Sequence, residues 1–286
     1  MGLSSNGTAV IESIMDGTAL YLDLLKKCLT HYLWQETMQP IDPVQLRYRW
    51  LGTWFCRRLA ARQIYLSRRV RFDAEMRRNG CDWPQVADTM IGLKRLDNLQ
   101  HCIESVLRDQ VPGDLIETGV WRGGATIFMR AVLKAHEVVD RIVWVADSFE
   151  GLPVPDAEKY PQDSGDTHHT HDRLRISMED VQANFAKYGL LDGGVRFLKG
   201  WFKDTLPTAP IDRLAVMRLD GDMYSSTMDA LNNLYPKLSI GGYAIIDDYG
   251  YWEPCRQAVH DYREAHQITD PIHEVDWTGV YWRRTK

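Results

Sequence analysis

The five cysteines, Cys28, Cys56, Cys81, Cys102 and Cys255, form no CxxC pair and no zinc-type spacing. Their odd number and wide separation in a chain of 286 residues argue against a disulfide framework and imply reduced thiols in the cytoplasm. No apolar run is long enough to span a bilayer. The opening stretch MGLSSNGTAVIESIMDG lacks the basic segment and apolar run of a signal peptide. A basic excess is missing as well: the net charge is -5, so composition gives no reason to expect a nucleic-acid partner. Low-complexity tracts and internal repeats are also absent. The length suits one α/β domain with extra segments or two small domains, either able to bury a sizeable core.

The first part reads as helical. Residues 20–33 carry Tyr21, Leu24, Leu25, Cys28, Leu29 and Tyr32 at helical spacing, before Pro40 and Pro43 interrupt the pattern. Residues 45–72 are expected to form a second helix, unusually basic through Arg47, Arg49, Arg57, Arg58, Arg62, Arg68, Arg69 and Arg71. A solvated face accounts for these arginines; a docking surface for an acidic partner or a membrane is the alternative. A third helix is expected over residues 92–107. Beyond it, short strands at residues 114–118, 142–147, 195–199, 214–220 and 243–248 alternate with helices at 126–135, 179–188, 226–235 and 254–266. This alternation predicts an α/β, Rossmann-like fold with a mostly parallel sheet covered on both faces. The ending HEVDW-TG-VYWRR alternates like an antiparallel hairpin. Residues 151–173 are polar, with prolines and histidines, and are expected to form a loop or lid.

The first strand leads into Glu117-Thr118-Gly119-Val120-Trp121-Arg122-Gly123-Gly124-Ala125-Thr126. Glycine-rich turns between a first strand and its helix are where doubly wound folds bind nucleotides, because the backbone approaches the ligand without a Cβ in the way. The spacing is GxxxGG and not the GxGxxG of dinucleotide sites. A pyrophosphate prefers amides at a helix N-terminus. S-adenosylmethionine has none and carries a cationic sulfonium and ammonium, which suits an acid such as Glu117. A tight structural turn is the plainer reading of the motif alone. Asp147 and Ser148 end the second strand, where an acid accepts ribose hydroxyls in nicotinamide and methyltransferase folds alike.

The fourth strand ends Arg218-Leu219-Asp220-Gly221-Asp222 and the fifth Ile246-Asp247-Asp248. In adjacent parallel strands, Asp220, Asp247 and Asp248 converge at one sheet edge. Crowded carboxylates repel, and a hard cation bound through oxygen, such as Mg²⁺, Mn²⁺ or Ca²⁺, resolves the repulsion. Such a metal acidifies and orients a hydroxyl, with Asp220 as ligand and general base. Asp222 and Asp248 have an alternative as caps or turn residues. His168, His169 and His171 share the polar loop, without cysteine or helical ligand spacing, and read as part of a mobile lid. The tryptophans are assigned mostly to the core.

With these motifs in hand, the sequence resembles the macrocin O-methyltransferase family. The matching stretches are YLDLLKKCLT (21–30), TMIGLKRLDNL (89–99), LIETGVWRGGA (115–125), VWVADSFEGLP (143–153), VRFLKGWFKDTLP (195–207), RLDGDMYSSTMDALNNLYPKLSIGGY (218–243), IIDDYG (245–250) and DWTGVYWRR (276–284). The resemblance implies a class I methyltransferase sheet of seven strands and a cytoplasmic, magnesium-dependent enzyme. It would methylate a hydroxyl, most often on a deoxysugar of a glycosylated antibiotic, with S-adenosylmethionine as methyl donor. Residues 1–88 would be an N-terminal helical lid segment and 89–286 the methyltransferase domain. The resemblance places Thr89, Met90, Glu117, Arg122 to Thr126, Asp147 and Gly200-Trp201-Phe202 at the cofactor, with Trp201 near the adenine. It places Asp220, Asp247 and Asp248 on the metal. Catechol-type relatives carry a lysine base three residues after the first Asp; here that position is Met223, which leaves Asp220 as the base. Glu36 is an acceptor-side candidate in the lid segment. The basic stretch 43–70 departs from the family pattern. A homo-oligomer is expected, with neither nucleic-acid nor membrane partner. The competing readings are a nicotinamide-dependent sugar oxidoreductase and a non-catalytic binding protein of the same fold.

Overall fold

Strands β3 (Asp114–Thr118), β4 (Val143–Asp147), β5 (Val195–Lys199), β6 (Leu214–Leu219) and β7 (Leu238–Ile246) lie parallel. β8 (His273–Glu274) and β9 (Val280–Arg283) add the antiparallel edge, giving a sheet of seven strands in the order β5-β4-β3-β6-β7-β9-β8. The computed structural model describes residues 16–34, 36–41, 49–84 and 86–286.

Apolar alternation explains the layers. Leu115 faces one hydrophobic cluster and its neighbour Ile116 the other, as do Ile245 and Ile246. The first cluster packs against α1 (Gly17–Leu29), α4 (Leu93–Arg108), α5 (Gly124–Ala135) and α6 (Met178–Lys187). The second is covered by α8 (Tyr224–Leu234) and α9 (Glu253–Ala265), with Trp282 wholly buried between. Helix α1 begins where Asp16 accepts from the Ala19 amide at 2.7 Å, an N-cap placed ahead of the apolar stripe Leu22, Leu25 and Leu29.

The N-terminal stretch departs from expectation. Residues 45–72 do not form one helix. Helix α2 spans Arg49–Ala60 and then stops: Gln63 takes a φ of 58°, and the Ile64 amide bonds back to the Leu59 carbonyl at 3.0 Å. The chain reverses into β2 (Ser67–Arg71), which pairs antiparallel with β1 (Glu36–Pro40), Glu36 opposite Arg71. The arginine-rich run hides this change of period because arginine suits an exposed strand face as well as a helix. A short helix α3 (Ala74–Asn79) follows. Residues 42–48, with Arg47, lie outside the described residues. The tryptophans are also less buried than expected: among the described residues only Trp144 and Trp282 are in the core, and Trp54 and Trp277 are exposed.

Candidate active site

The strand order reverses at β3, which leads to β4 on one side and β6 on the other, so the crevice opens over the tips of β3 and β6. There the backbones touch. Gly119 has a φ of 81°, and a Cβ on it would lie 1.8 Å from the Asp220 carbonyl oxygen. Gly119→Ala is therefore expected to push the two tips apart and to lower the thermal unfolding temperature, as read by calorimetry; a wild-type unfolding temperature would show the close approach to be dispensable.

Gly119, Asp147, Ser148, Trp201, Phe202, Asp220 and Met90 line one cavity, together with Trp121 and Asp222. Asp147 accepts from the Val120 amide at 2.8 Å and the Phe149 amide at 2.7 Å, which aims its carboxylate into the turn between the strand tips. The Gly200 amide bonds the Asp147 carbonyl at 2.9 Å, tethering the Gly200-Trp201-Phe202 stretch to the β4 tip.

The remaining turn residues sit behind this wall. Gly124 donates to the Asp88 carbonyl at 3.0 Å and Arg122 to the Ala87 carbonyl at 2.9 Å, so both bind the segment carrying Thr89 to the start of α5. Thr126 is buried with its hydroxyl on the Gly123 carbonyl at 2.8 Å, and Ala125 is buried beside it. A Cβ at Gly123 would meet Val181 at 2.8 Å. These residues shape the turn, and neither they nor Glu117 line the cavity.

The carboxylates at the tips of β6 and β7 do converge. One oxygen from each of Asp220, Asp247 and Asp248 lies within 4.8 Å of the others. Sequence reading missed how the cluster is held. Arg218, only 2% exposed on β6, bonds Glu117, Asp220 (2.8 Å to Oδ2) and Asp247 at once. Arg95, from α4, bonds the other oxygen of Asp247 and reaches Asp276 at 3.0 Å. Both arginines were legible as residues, but apart from Asp220, two residues after Arg218, the carboxylates they meet are far away in sequence.

Arg218 and Arg95 pair with Glu117, Asp220, Asp247 and Asp276, and Asp222 and Asp248 stand beside Asp220, so carboxyl groups outnumber guanidiniums six to two. Burial pushes Glu117 up to about 8, against the attraction of Arg218 and with repulsion from Asp220 and Asp247 added. Asp222 is raised to about 7 by burial and by Asp220. Burial, with Asp222 and Asp220 beside it, raises Asp248 as well. Asp222, at a φ of 55°, faces the cavity, and its amide donates to Asp248 at 3.2 Å. An all-oxygen donor set of crowded carboxyls, which a cation would return to their ionised forms, fits a hard divalent cation. Glu117 keeps its Oε2 buried and without a hydrogen-bond partner among the described residues.

The polar segment 151–175 closes over this edge in three short 3-10 turns. Asp163, 1% exposed, caps α8 by accepting from the amides of Tyr224 (2.7 Å) and Ser225 (3.0 Å). His168 bonds Asp166 at 2.7 Å and packs on Trp252, while His169 and His171 bind nothing in common with it that resembles a ligand set.

A family model for macrocin-O-methyltransferase matches residues 18–284. The chain belongs to the macrocin-O-methyltransferase family. It is 54% identical over 271 residues to the 8-demethyl-8-(2,3-dimethoxy-alpha-L-rhamnosyl)-tetracenomycin-C 4'-O-methyltransferase of Streptomyces olivaceus, covering 94% of each chain. It is 51% identical over 272 residues to the mycinamicin III 3''-O-methyltransferase of Micromonospora griseorubida, covering 94% of this chain and 98% of that one. The solved O-methyltransferase NovP superposes with a TM-score of 0.81 at 47% identity, over 94% of this chain and all of that one. The protein is an O-methyltransferase with the class I methyltransferase sheet. No helix among the described residues is long and apolar enough to cross a membrane.

Proposed function

We propose that this methyltransferase transfers the methyl group of S-adenosylmethionine to a sugar hydroxyl of a glycosylated natural product, with a magnesium ion held by Asp220, Asp247 and Asp248. The observation that carries the reading is the convergence of three carboxylates at the edge of a cavity whose other wall is Gly119, Asp147 and Trp201. The glycosylated substrates named for two relatives, a rhamnosyl tetracenomycin and a mycinamicin, support the acceptor class.

Bound S-adenosylmethionine would supply an electrophilic methyl group, and the cation would acidify the acceptor hydroxyl. The chain's own residues do the rest. Asp147 has lone pairs left for the ribose hydroxyls, Trp201 and Phe202 offer aromatic surface to the adenine, and the unpartnered Oε2 of Glu117 would accept from the ammonium end once the cationic ligand draws off its proton. Gly123, Gly124, Ala125, Thr126, Thr89 and Arg122 act by holding the turn in shape. Arg218 fixes Asp220 through Oδ2, and Asp220 takes the hydroxyl proton. Asp247, clamped between Arg218 and Arg95, supplies a ligand already oriented. The segment 151–175 shields the site from water, and Glu36, on β1, is the acceptor-side candidate of the N-terminal segment. The exposed Trp54, Phe55, Ile64 and Tyr65 support self-association.

Calorimetric titration with S-adenosylhomocysteine, with and without Mg²⁺, tests the reading. Micromolar binding is expected, weakened roughly tenfold or more in Asp147→Ala through loss of a charged hydrogen-bond acceptor. No binding by the wild-type protein under either condition would overturn it.

A further inference from the structure

The sequence places Tyr249-Gly250-Tyr251-Trp252 directly after Asp248, and the fold turns these residues into part of a row of rings. His168 meets Trp252 edge-on with centroids 4.5 Å apart, Trp252 meets Tyr251 at 4.9 Å, and Tyr251 meets Trp277 at 5.2 Å. The row runs from segment 151–175, across the chain leaving the carboxylate cluster, to the turn between β8 and β9.

The row is tied to the cluster at two points. The Trp252 amide donates to the Asp248 carbonyl at 2.8 Å, and the Thr278 hydroxyl donates to the Asp247 carbonyl at 2.9 Å. Asp276, next to Trp277, holds the Arg95 that holds Asp247. Gly250 lets the two aromatic segments meet: its amide bonds the Thr278 carbonyl at 2.8 Å, and a Cβ there would lie 2.5 Å from the Trp277 carbonyl oxygen. The Trp277 indole donates to the Asn79 carbonyl at 2.9 Å, which fixes the ring.

These rings are held in place but are not core. Tyr251 is 62% and Trp277 46% exposed, and none of the four rings lines the cavity that contains Asp147 and Trp201. Large rings fixed at the surface beside a reaction centre mark a contact surface. The occupant follows from position and chemistry. The rings adjoin Asp247 and Asp248 but do not line the cofactor cavity, so the occupant that fits the proposed reaction is the acceptor and not the cofactor. A 6-deoxyhexose has a hydroxyl-poor face of C–H groups and a methyl, whose positive edges pack on the negative face of an aromatic ring. A row already fixed loses little entropy on binding.

We infer that Trp252, Tyr251 and Trp277, with His168 at the lid end, form a platform that binds the apolar face of a 6-deoxyhexoside and presents its hydroxyl to the carboxylate cluster. This rests on the methyltransferase reading above and adds the residues that select the sugar.

The test is calorimetry of the full chain with para-nitrophenyl α-L-rhamnoside in the presence of S-adenosylhomocysteine and Mg²⁺. Tyr251→Ala and Trp277→Ala are each expected to weaken rhamnoside binding about fivefold to tenfold, the size of one aromatic contact. Tyr251→Phe, which keeps the ring, should stay within about twofold. S-adenosylhomocysteine affinity should not change in any of the three. Unchanged rhamnoside affinity in both alanine variants would overturn the platform, as would an equal loss of S-adenosylhomocysteine affinity, the mark of a purely structural cluster. So would a wild-type protein that binds S-adenosylhomocysteine but no rhamnoside. Failure to bind S-adenosylhomocysteine at all is a different result and strikes the methyltransferase reading itself.

Discussion

Asp220→Asn is expected to lower kcat by about a thousandfold, while affinity for S-adenosylhomocysteine stays within about threefold of wild type. The substitution keeps the side-chain shape but removes the charge and the proton acceptor. Asp220 is the member of the trio best placed to meet an acceptor. Its side chain is 26% exposed and lines the cavity, whereas that of Asp247 is 7% exposed and is bonded on both oxygens to arginines. Loss of a general base alone costs about a hundredfold to ten-thousandfold, and a weakened metal site adds to that. Single-turnover kinetics with saturating cofactor, paired with calorimetry, separates the chemical step from binding. Near-normal turnover would remove Asp220 as both base and ligand.

The second large effect is on stability. Arg218→Met should destabilise the protein by about 3–5 kcal/mol, the usual cost of breaking a buried ion pair on one side only. Arg218 is the shared partner of Glu117, Asp220 and Asp247, and without it three carboxylates crowd together with Arg95 as their remaining guanidinium. Glu117→Gln should cost less, about 1 kcal/mol, because burial already favours the neutral acid there. The sign of the pH dependence follows. In metal-free protein, Glu117 is raised from its ordinary 4.5 to about 8, so the folded state holds its proton more tightly than the unfolded state. Its contribution to stability is full below the unfolded value and is lost as pH rises through about 8. Wild type should therefore lose stability relative to Glu117→Gln across that window. Urea unfolding at several pH values measures both effects. Equal losses in Arg218→Met and Glu117→Gln, with no pH trend between wild type and Glu117→Gln, would show that Arg218 is not the keystone of the cluster.

The contrast between Asp220 and Arg218 shows what kind of residue a sequence gives away. Asp220, Asp247 and Asp248 end strands, and strand ends are visible because apolar runs stop there. Arg218 lies inside such a run, two residues before Asp220, and nothing in the linear pattern assigns it a role. Beyond Asp220 its partners Glu117 and Asp247 come from β3 and the end of β7, and Arg95 arrives from a helix more than a hundred residues upstream of Asp247. The basic stretch after residue 45 shows the opposite failure. Its composition was plain, but helix and exposed strand accept the same arginines, and only pairing with β1 separates them.

By itself the sequence determined the α/β alternation, the antiparallel end, the turn at Gly119 and the acids at strand tips, because apolar period and glycine placement are local properties. The family was legible from the same motifs, and the comparisons bear it out. Tertiary structure alone decided which turn residues face the cavity and which brace it, how two arginines hold the carboxylates, and how the rings following Asp248 meet Trp277. Each of these depends on groups brought together from distant strands and loops, and the energy of a buried charge or a packed ring is set by those neighbours, not by position in the chain.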